Sequence, residues 1–314
     1  MCEERSHMTD TNSPGNRPTV RLTHFGAAGW SITDGDLVFL LDPYLSRIRF
    51  SGRRFGPTDA TDVPEIPRPI IPMNQAPTTD TAAVDAHVSR ADYIMLSHSH
   101  FNHCMDMPYI AKKTSAVVIG TESTVNLAMN NGVPLEQTLV VRGGEDYAFE
   151  KFSIRIVPSL HSALSCKLYR DFGTIPATTT PLSMEEYVEG GTLAYLLRFA
   201  GRDILLFGSM NFLEREIEGM RPEIALVASA PARLEIHEYT ARLMRCLGFP
   251  PLIIATHWDD QGLPFGAAQD ERLRQTGAFI EEVHAVAPES QVVVPLHFQT
   301  IVVDGTGVAR VEGP

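Results

Sequence analysis

YIMLSHSHFNH, residues 93–103, sets three histidines, His98, His100 and His103, within six residues and directly after four apolar ones. The run YIML reads as a short buried strand, so the imidazoles stand where the chain leaves the core for a loop. Two imidazoles two residues apart, with a third three residues on, converge on one point only where the backbone turns, and a strand end supplies that turn. Neutral imidazole is a common ligand for zinc, and a catalytic zinc site takes three protein ligands and keeps a position open for water. The competing reading is a polar loop whose histidines cap the next helix. It is the weaker one, because eleven histidines spread over 314 residues rarely place three in six.

Outward from this stretch the same pattern recurs. His161 follows FSIRIVPSL, and His257 follows LIIAT in the sequence ATHWDD. Strand ends on one edge of a sheet lie side by side, so both histidines can reach the place where the cluster sits. Short apolar runs separated by Gly, Asp and Pro predict strands in both halves of the chain, among them GWSIT, DLVFLLDP, AVVIG, TLVVR, TLAYLLRF, RDILLFG, EIALVA, VVVPL and TIVVD. Helices are expected over 81–90, 105–113, 122–131, 212–219, 235–247 and 267–284. This alternation suggests an α/β protein with two sheets back to back and helices outside. No repeat with a period of 20–50 residues is visible, so a solenoid is not indicated.

Composition bounds the function. Lys and Arg number 26 against 38 Asp and Glu, a net charge of −12 with histidine neutral, so the surface repels polyanions and no nucleic-acid partner is expected. A hydrophobic fraction of 44% with 20% charged residues is that of a globular chain. No apolar run approaches the roughly 18 residues a spanning helix needs, so no membrane partner is expected. Residues 1–18 read as a disordered tail without a secretory segment, and a cytoplasmic location is expected. Cys2, Cys104, Cys166 and Cys246 form no CxxC pair, so reduced thiols are expected. Residues 19–314 read as a single domain, interrupted by a Pro-rich loop insertion near 46–80; a second irregular stretch covers 161–190. Both loops are expected to wall a pocket.

The segments SHSHFNH (97–103), SLH ending at His161, GSMN (208–211) and THWDD (256–260) resemble, in this order, the metal-binding motifs of the metallo-β-lactamase superfamily. Their texture is similar to that of the L-ascorbate-6-phosphate-lactonase-like branch of metal-dependent hydrolases, and RLTHFGAAGWSIT and LLDP fit the same branch. The resemblance implies a four-layer αββα sandwich of two mixed β-sheets flanked by helices, with the active site at one edge. By position it implies a first metal site of His98, His100 and His161, and a second faced by Asn102, His103 and His257. Two departures matter. Asn102 stands where the family places an aspartate ligand, and Ser209 where it places the aspartate that bridges two ions. All donors matched to the second site are therefore neutral, and two cations close together repel unless anions offset them. The expectation is one strong Zn2+ site with the second weak or absent, Mn2+, Fe2+ or Ni2+ being alternatives, unless Asp42, Asp259 or Asp260 turns inward.

The implied activity is metal-dependent hydrolysis, in which metal-bound hydroxide attacks a carbonyl or phosphoryl centre of a small molecule: a lactone, an ester or amide, or a phosphodiester. An amide at position 102 cannot accept a proton as the family aspartate does, so either activity is reduced or another residue, such as Asp259, takes the role; Asn102, Asp259 and Asp260 are the expected catalytic positions. Arg47, Arg49, Arg53 and Arg54 can clamp an anionic substrate, although a solvated basic loop explains them equally well. Cys104, His24 and His297 read as packing residues, His297 within a late strand, and Trp258 as a pocket wall. A homo-oligomer is compatible with the sequence. The alternative to an enzyme is a metal- or ligand-binding protein that keeps the fold with impaired catalysis.

Overall fold

The computed structural model describes residues 17–51, 69–163, 167, 172–178 and 181–313. The expected tail lies outside these residues except for its last two, as do 52–68 of the Pro-rich segment and parts of the second loop. The chain opens with an antiparallel meander of β1 (Val20–Gly26), β2 (Gly29–Thr33) and β3 (Val38–Leu41). At the two ends of the Pro-rich segment, β4 (Arg49–Ser51) and β5 (Ile70–Pro72) form a small parallel pair. β6 (Tyr93–Met95), β7 (Val117–Gly120) and β8 (Thr138–Val140) then extend the first sheet in parallel from β3.

The second sheet holds β9 (Asp146–Ala148), β10 (Phe152–Pro158), β11 (Leu193–Phe199), β12 (Arg202–Phe207), β13 (Ile224–Ala228), β14 (Leu252–Thr256) and β15 (Gln291–Val293). Their order in space is β15-β14-β13-β12-β11-β10-β9, antiparallel as far as β12 and parallel from β12 to β15. β16 (Thr300–Val303) and β17 (Ala309–Glu312) return to the first sheet beside β1. Helices α1 (Thr81–His87), α2 (Phe101–Cys104), α3 (Met107–Thr114) and α4 (Glu122–Asn130) belong to the first half, and α5 (Glu214–Ile217), α6 (Tyr239–Cys246) and α7 (Asp270–His284) to the second.

Side chains alternate across each strand, and this sorts the apolar residues into three layers. Phe39 and Leu41 of β3 meet Ile204 and Leu206 of β12 and Ile254 of β14 between the two sheets. Leu40, Ile94 and Val118 face Val84, Ile110 and Leu127 of the first helices. Leu205, Ala225 and Ile253 face Leu243 and Phe279 of the second set. The result is the expected αββα sandwich of two mixed sheets flanked by helices.

Several expected bounds move. The helix expected over 105–113 is α3, which starts at Met107 with Pro108 in its first turn, where a missing N–H breaks no helical bond, and a separate short helix, α2, precedes it and carries His103. α6 begins only at Tyr239 because Pro231–Glu235 forms a tight 3-10 turn. The strand expected in VVVPL stops at Val293, two residues before Pro295, which has no N–H for a ladder. His297 therefore lies in the loop between β15 and β16, not in a strand.

Candidate metal centre

The carboxyl ends of β3 and β6 in one sheet, and of β12 and β14 in the other, come together at one edge. Asp42 directly follows β3, His98 follows β6 by three residues, Ser209 follows β12 by two, and His257 directly follows β14. Asp42 adopts a left-handed φ of 41°, which turns the chain at the end of β3. Its carboxylate accepts three hydrogen bonds: Ser97 N–H at 2.7 Å on Oδ1, and Ser97 Oγ at 2.5 Å and His103 Nδ1 at 2.9 Å on Oδ2. Ser97 Oγ in turn lies 3.0 Å from His98 Nδ1. His161 Nδ1 donates to the Ser162 carbonyl at 3.0 Å.

These partners fix the ring protons. Each of His98, His103 and His161 spends its Nδ1–H on an oxygen, so the Nε2 lone pair is the one left to face a cation. His98 Nε2 is buried and has no hydrogen-bond partner, a state that costs free energy unless something occupies the lone pair.

His98, His100 and His161 each bring a ligand nitrogen to within 4.8 Å of the others, the one such group of metal-binding side chains found among the described residues. Their ring centroids are 4.7–4.8 Å apart. Three nitrogens around a tetrahedral zinc lie about 3.3 Å from one another, so side-chain shifts of about 1 Å suit the set to an ion. Protonation is compatible too, since ligating imidazoles must be neutral. Burial, followed by repulsion from neighbouring imidazoles, holds His98 and His103 well below the usual histidine range, and burial brings His161 down to about 3. Burial also lowers His257. Asp42 is pushed up to about 8 by burial, against the hydrogen bonds from Ser97 that pull it down.

The remaining expected residues are placed as follows. His103 packs against His98 with centroids 3.8 Å apart and against His257 at 5.2 Å, but neither His103 nor His257 joins the three-histidine group. Asn102 is nearly buried in α2 and donates through Nδ2 to Gln261 Oε1 at 2.8 Å. Ser209 Oγ accepts from Ser162 N–H at 2.9 Å, and Asn211 Nδ2 donates to the His161 carbonyl at 3.1 Å, so the GSMN segment braces the strand end that carries His161.

Asp259 does not present an open carboxylate. Oδ1 accepts from Ala27 N–H at 2.8 Å, and Oδ2 accepts from Arg47 Nη1 at 2.7 Å and His297 Nε2 at 2.8 Å. Arg47, read from the sequence either as a substrate clamp or as part of a solvated basic loop, is 2% exposed and spends its guanidinium inside the protein; Arg53 and Arg54 lie outside the described residues. Asp260 is partly exposed, accepts from Gly262 N–H on Oδ1, and has Oδ2 3.7 Å from Arg272.

Sequence reading had named Asp42 only as one of three candidates to turn inward; its position at a strand end, like that of the histidines, was the available signal. Ser97 and Gln261 carried none. No helix among the described residues is long and apolar enough to cross a membrane.

Similarity to known proteins agrees with this geometry. A UPF0173 metal-dependent hydrolase of Pyrobaculum aerophilum is 28% identical over 146 residues, 46% of this chain and 52% of the relative. One from Enterococcus faecalis is 32% identical over 91 residues, 29% of this chain and 38% of the relative. The chain thus spans between about a third and about a half of the length of the curated relatives it matches. Among solved structures, a metallo hydrolase from the archaeon Ignicoccus hospitalis superposes with a TM-score of 0.56 at 17% identity, covering 91% of this chain and 99% of its own. An isothiocyanate hydrolase from Delia radicum gut bacteria gives 0.57 at 15% identity, covering 89% and 98%. At these identities the likeness is one of fold. The family model described as a beta-lactamase superfamily domain matches residues 21–207, more than half of the sequence, and the chain belongs to that family.

Proposed function

We propose that the protein is a metal-dependent hydrolase of a small molecule, with one divalent ion held by His98, His100 and His161. The observation that carries this reading is the convergence of three imidazoles, His98 and His100 buried and His161 half-buried, whose nitrogens lie within 4.8 Å of one another. When bound, a divalent ion supplies an acidified water and an electrophile for a carbonyl or phosphoryl oxygen. Zinc suits this ligand set best, with Mn2+, Fe2+ and Ni2+ as alternatives. The chain's own residues do the rest. Ser97 and the Ser162 carbonyl hold the ligand rings in one tautomer, and Asp42 does the same for His103.

Of the carboxylates near the site, Asp260 is the one we assign as proton acceptor, because Asp259 has both oxygens taken by N–H donors. The proposed second position, His103, His257, Asn102 and Ser209, offers no anionic side chain and retains an ion weakly or not at all. Lactones, esters or amides, and phosphodiesters are the proposed substrate classes, the first in keeping with the lactonase-like texture of the motifs. A specific observation also favours the second reading, a binding protein with impaired catalysis: position 102 is an amide that donates to Gln261 and cannot take up a proton.

The two readings separate in one experiment. Protein purified without chelator is analysed for metal and then assayed against lactones, esters and phosphodiesters with Zn2+ or Mn2+. One retained ion with chelator-sensitive turnover supports the hydrolase, and a retained ion without turnover supports the binding protein. Absence of any retained ion, with none taken up on addition, overturns both.

A further inference from the structure

We propose that Arg47 and Asp259 form a clamp that holds the His257 loop at the metal centre, so that Asp259 is a positioning residue and the start of the 46–80 segment is tied to the loop bearing His257. The inference deepens the function proposed above and rests on it for the nearness of His257 to an ion.

The loop after β14 opens with a left-handed residue, His257 at φ 50°. L side chains adopt this conformation uncommonly and at a cost, which contacts from outside the loop can offset. Two anchors do. The first is a closed ring of hydrogen bonds with the turn between β1 and β2: His257 N–H donates to the Ala27 carbonyl at 2.8 Å, and Ala27 N–H donates to Asp259 Oδ1 at 2.8 Å. Ala27 is itself left-handed, at φ 48°. The second is Arg47, which arrives from outside both elements. Its Nη1 binds Asp259 Oδ2 at 2.7 Å, Nη2 the Asp260 carbonyl at 2.6 Å and Nε the Leu263 carbonyl at 2.7 Å. One guanidinium fork thus fastens three points of a five-residue stretch, as only arginine can.

The cluster is built rather than incidental. Arg47 and Asp259 side chains are 2% and 0% exposed. A Cβ on Gly26 would lie 2.8 Å from Arg47 Nη1 and 3.1 Å from both Asp259 Oδ2 and His297 Cδ2, so the glycine leaves the room that the ion pair and His297 fill. His297 Nε2 supplies a second donor to Oδ2. A fully buried carboxylate with an N–H donor on each oxygen orients its neighbours.

Histidine NMR on the full chain, 15N-labelled and supplied with Zn2+, tests the clamp, with the His257 ring signals assigned from a His257→Gln chain. Arg47→Lys keeps the charge but cannot make three forked bonds, and Asp259→Asn keeps the shape without the charge. Either substitution is expected to shift and broaden the His257 signals while those of His98, His100 and His161, and the number of retained ions, stay as in the parent. Unmoved His257 signals, or equal movement of all four histidines, would overturn the clamp. Should Asp259→Asn not fold, Arg47→Lys and the unaltered chain still decide. In the unaltered chain the amides of Ala27 and His257 are expected to exchange hydrogen at one common rate, and unrelated rates refute the proposal. If that chain takes up no ion, the hydrolase reading fails, and the clamp is judged separately on the exchange rates and on the His257 signals of the metal-free chain.

Discussion

Gly208, which follows β12, sits against the hydrogen-bonded group behind the three histidines, and Gly208→Ala tests whether that group is arranged as described. A Cβ added there would stand 2.0 Å from Ser97 Oγ, 2.4 Å from Asp42 Oδ2 and 2.5 Å from Ser97 Cβ. Ordinary contact begins near 3.4 Å, so Ser97 must retreat by about 1.4 Å, far enough to break its hydroxyl bond to Asp42 at 2.5 Å and its contact with His98 at 3.0 Å. Overpacking costs about 1–3 kcal/mol and a lost hydrogen bond about 0.5–1.5 kcal/mol, so a total of about 1.5–4.5 kcal/mol is expected. With an unfolding entropy of about 2.1 cal/mol/K per residue, a chain of this length loses about 1.5 °C of Tm per kcal/mol, or about 2–7 °C here. Gly277 provides the control. It lies inside α7 with nothing within 4 Å of an added Cβ, so Gly277→Ala is expected to stabilise by about 1 kcal/mol through helix propensity. Both variants are followed by thermal and urea unfolding with chelator present, and separately by metal analysis. Opposite signs of the two effects, with reduced metal retention in Gly208→Ala alone, are expected. A Gly208→Ala chain as stable as the parent and holding as much metal would mean that Ser97 and Asp42 do not lie beneath Gly208.

Removing a proposed ligand, as in His161→Ala, is expected to abolish ion retention measured by elemental analysis while the chain still folds; an unchanged ion count would move the site elsewhere. Asn102→Asp is expected to raise metal content or hydrolytic rate by returning an anion to the second position, and unchanged values for both would place residue 102 away from the ion. His24 supplies a pH dependence independent of the ligands: burial lowers it from 6.5 to about 4. The folded chain therefore binds fewer protons there than the unfolded chain between these values, and its contribution to stability, present above pH 6.5, is lost as pH falls towards 4. Between pH 6.5 and 5 this amounts to about 2 kcal/mol, read from urea midpoints as the difference in slope between the parent and a His24→Gln chain; parallel slopes would count against a buried neutral imidazole.

What was legible in the sequence follows from how local its causes are. The strand runs and the histidines after them were readable because short continuous apolar runs and strand-end turns are set within a few residues, as in YIML and LIIAT. β9 and β17 left no such trace: their residues are exposed or half-buried at sheet edges and are held by partners rather than by their own pattern. The role of Asp259 could not be read, because its partners Ala27, Arg47 and His297 lie 232, 212 and 38 residues away in sequence. ATHWDD presents two adjacent carboxylates that look alike, and only the fold shows that one is enclosed by N–H donors and the other is partly open. Arg47 was misread for the same reason. An arginine at the start of a Pro-rich segment suggests a solvated or substrate-facing group until its buried carboxylate is found.

The neutral character of the donors also bears on how many ions the proposed centre can carry. Two divalent ions about 4 Å apart repel with about 17 kcal/mol at an effective dielectric constant of about 20, four times the unit-charge value. Carboxylates between the ions are the usual offset, yet here the matched positions are an amide and a hydroxyl, and both are already engaged, Asn102 with Gln261 and Ser209 with Ser162. Asp42, which is buried, meets His103 from behind, on Nδ1, rather than standing among the imidazole nitrogens, so it orients that ring and lies between no pair of ions. A reaction at one ion would draw on a separate side chain to take up a proton, and the proposal assigns that part to the half-open Asp260 because Asp259 is enclosed by N–H donors.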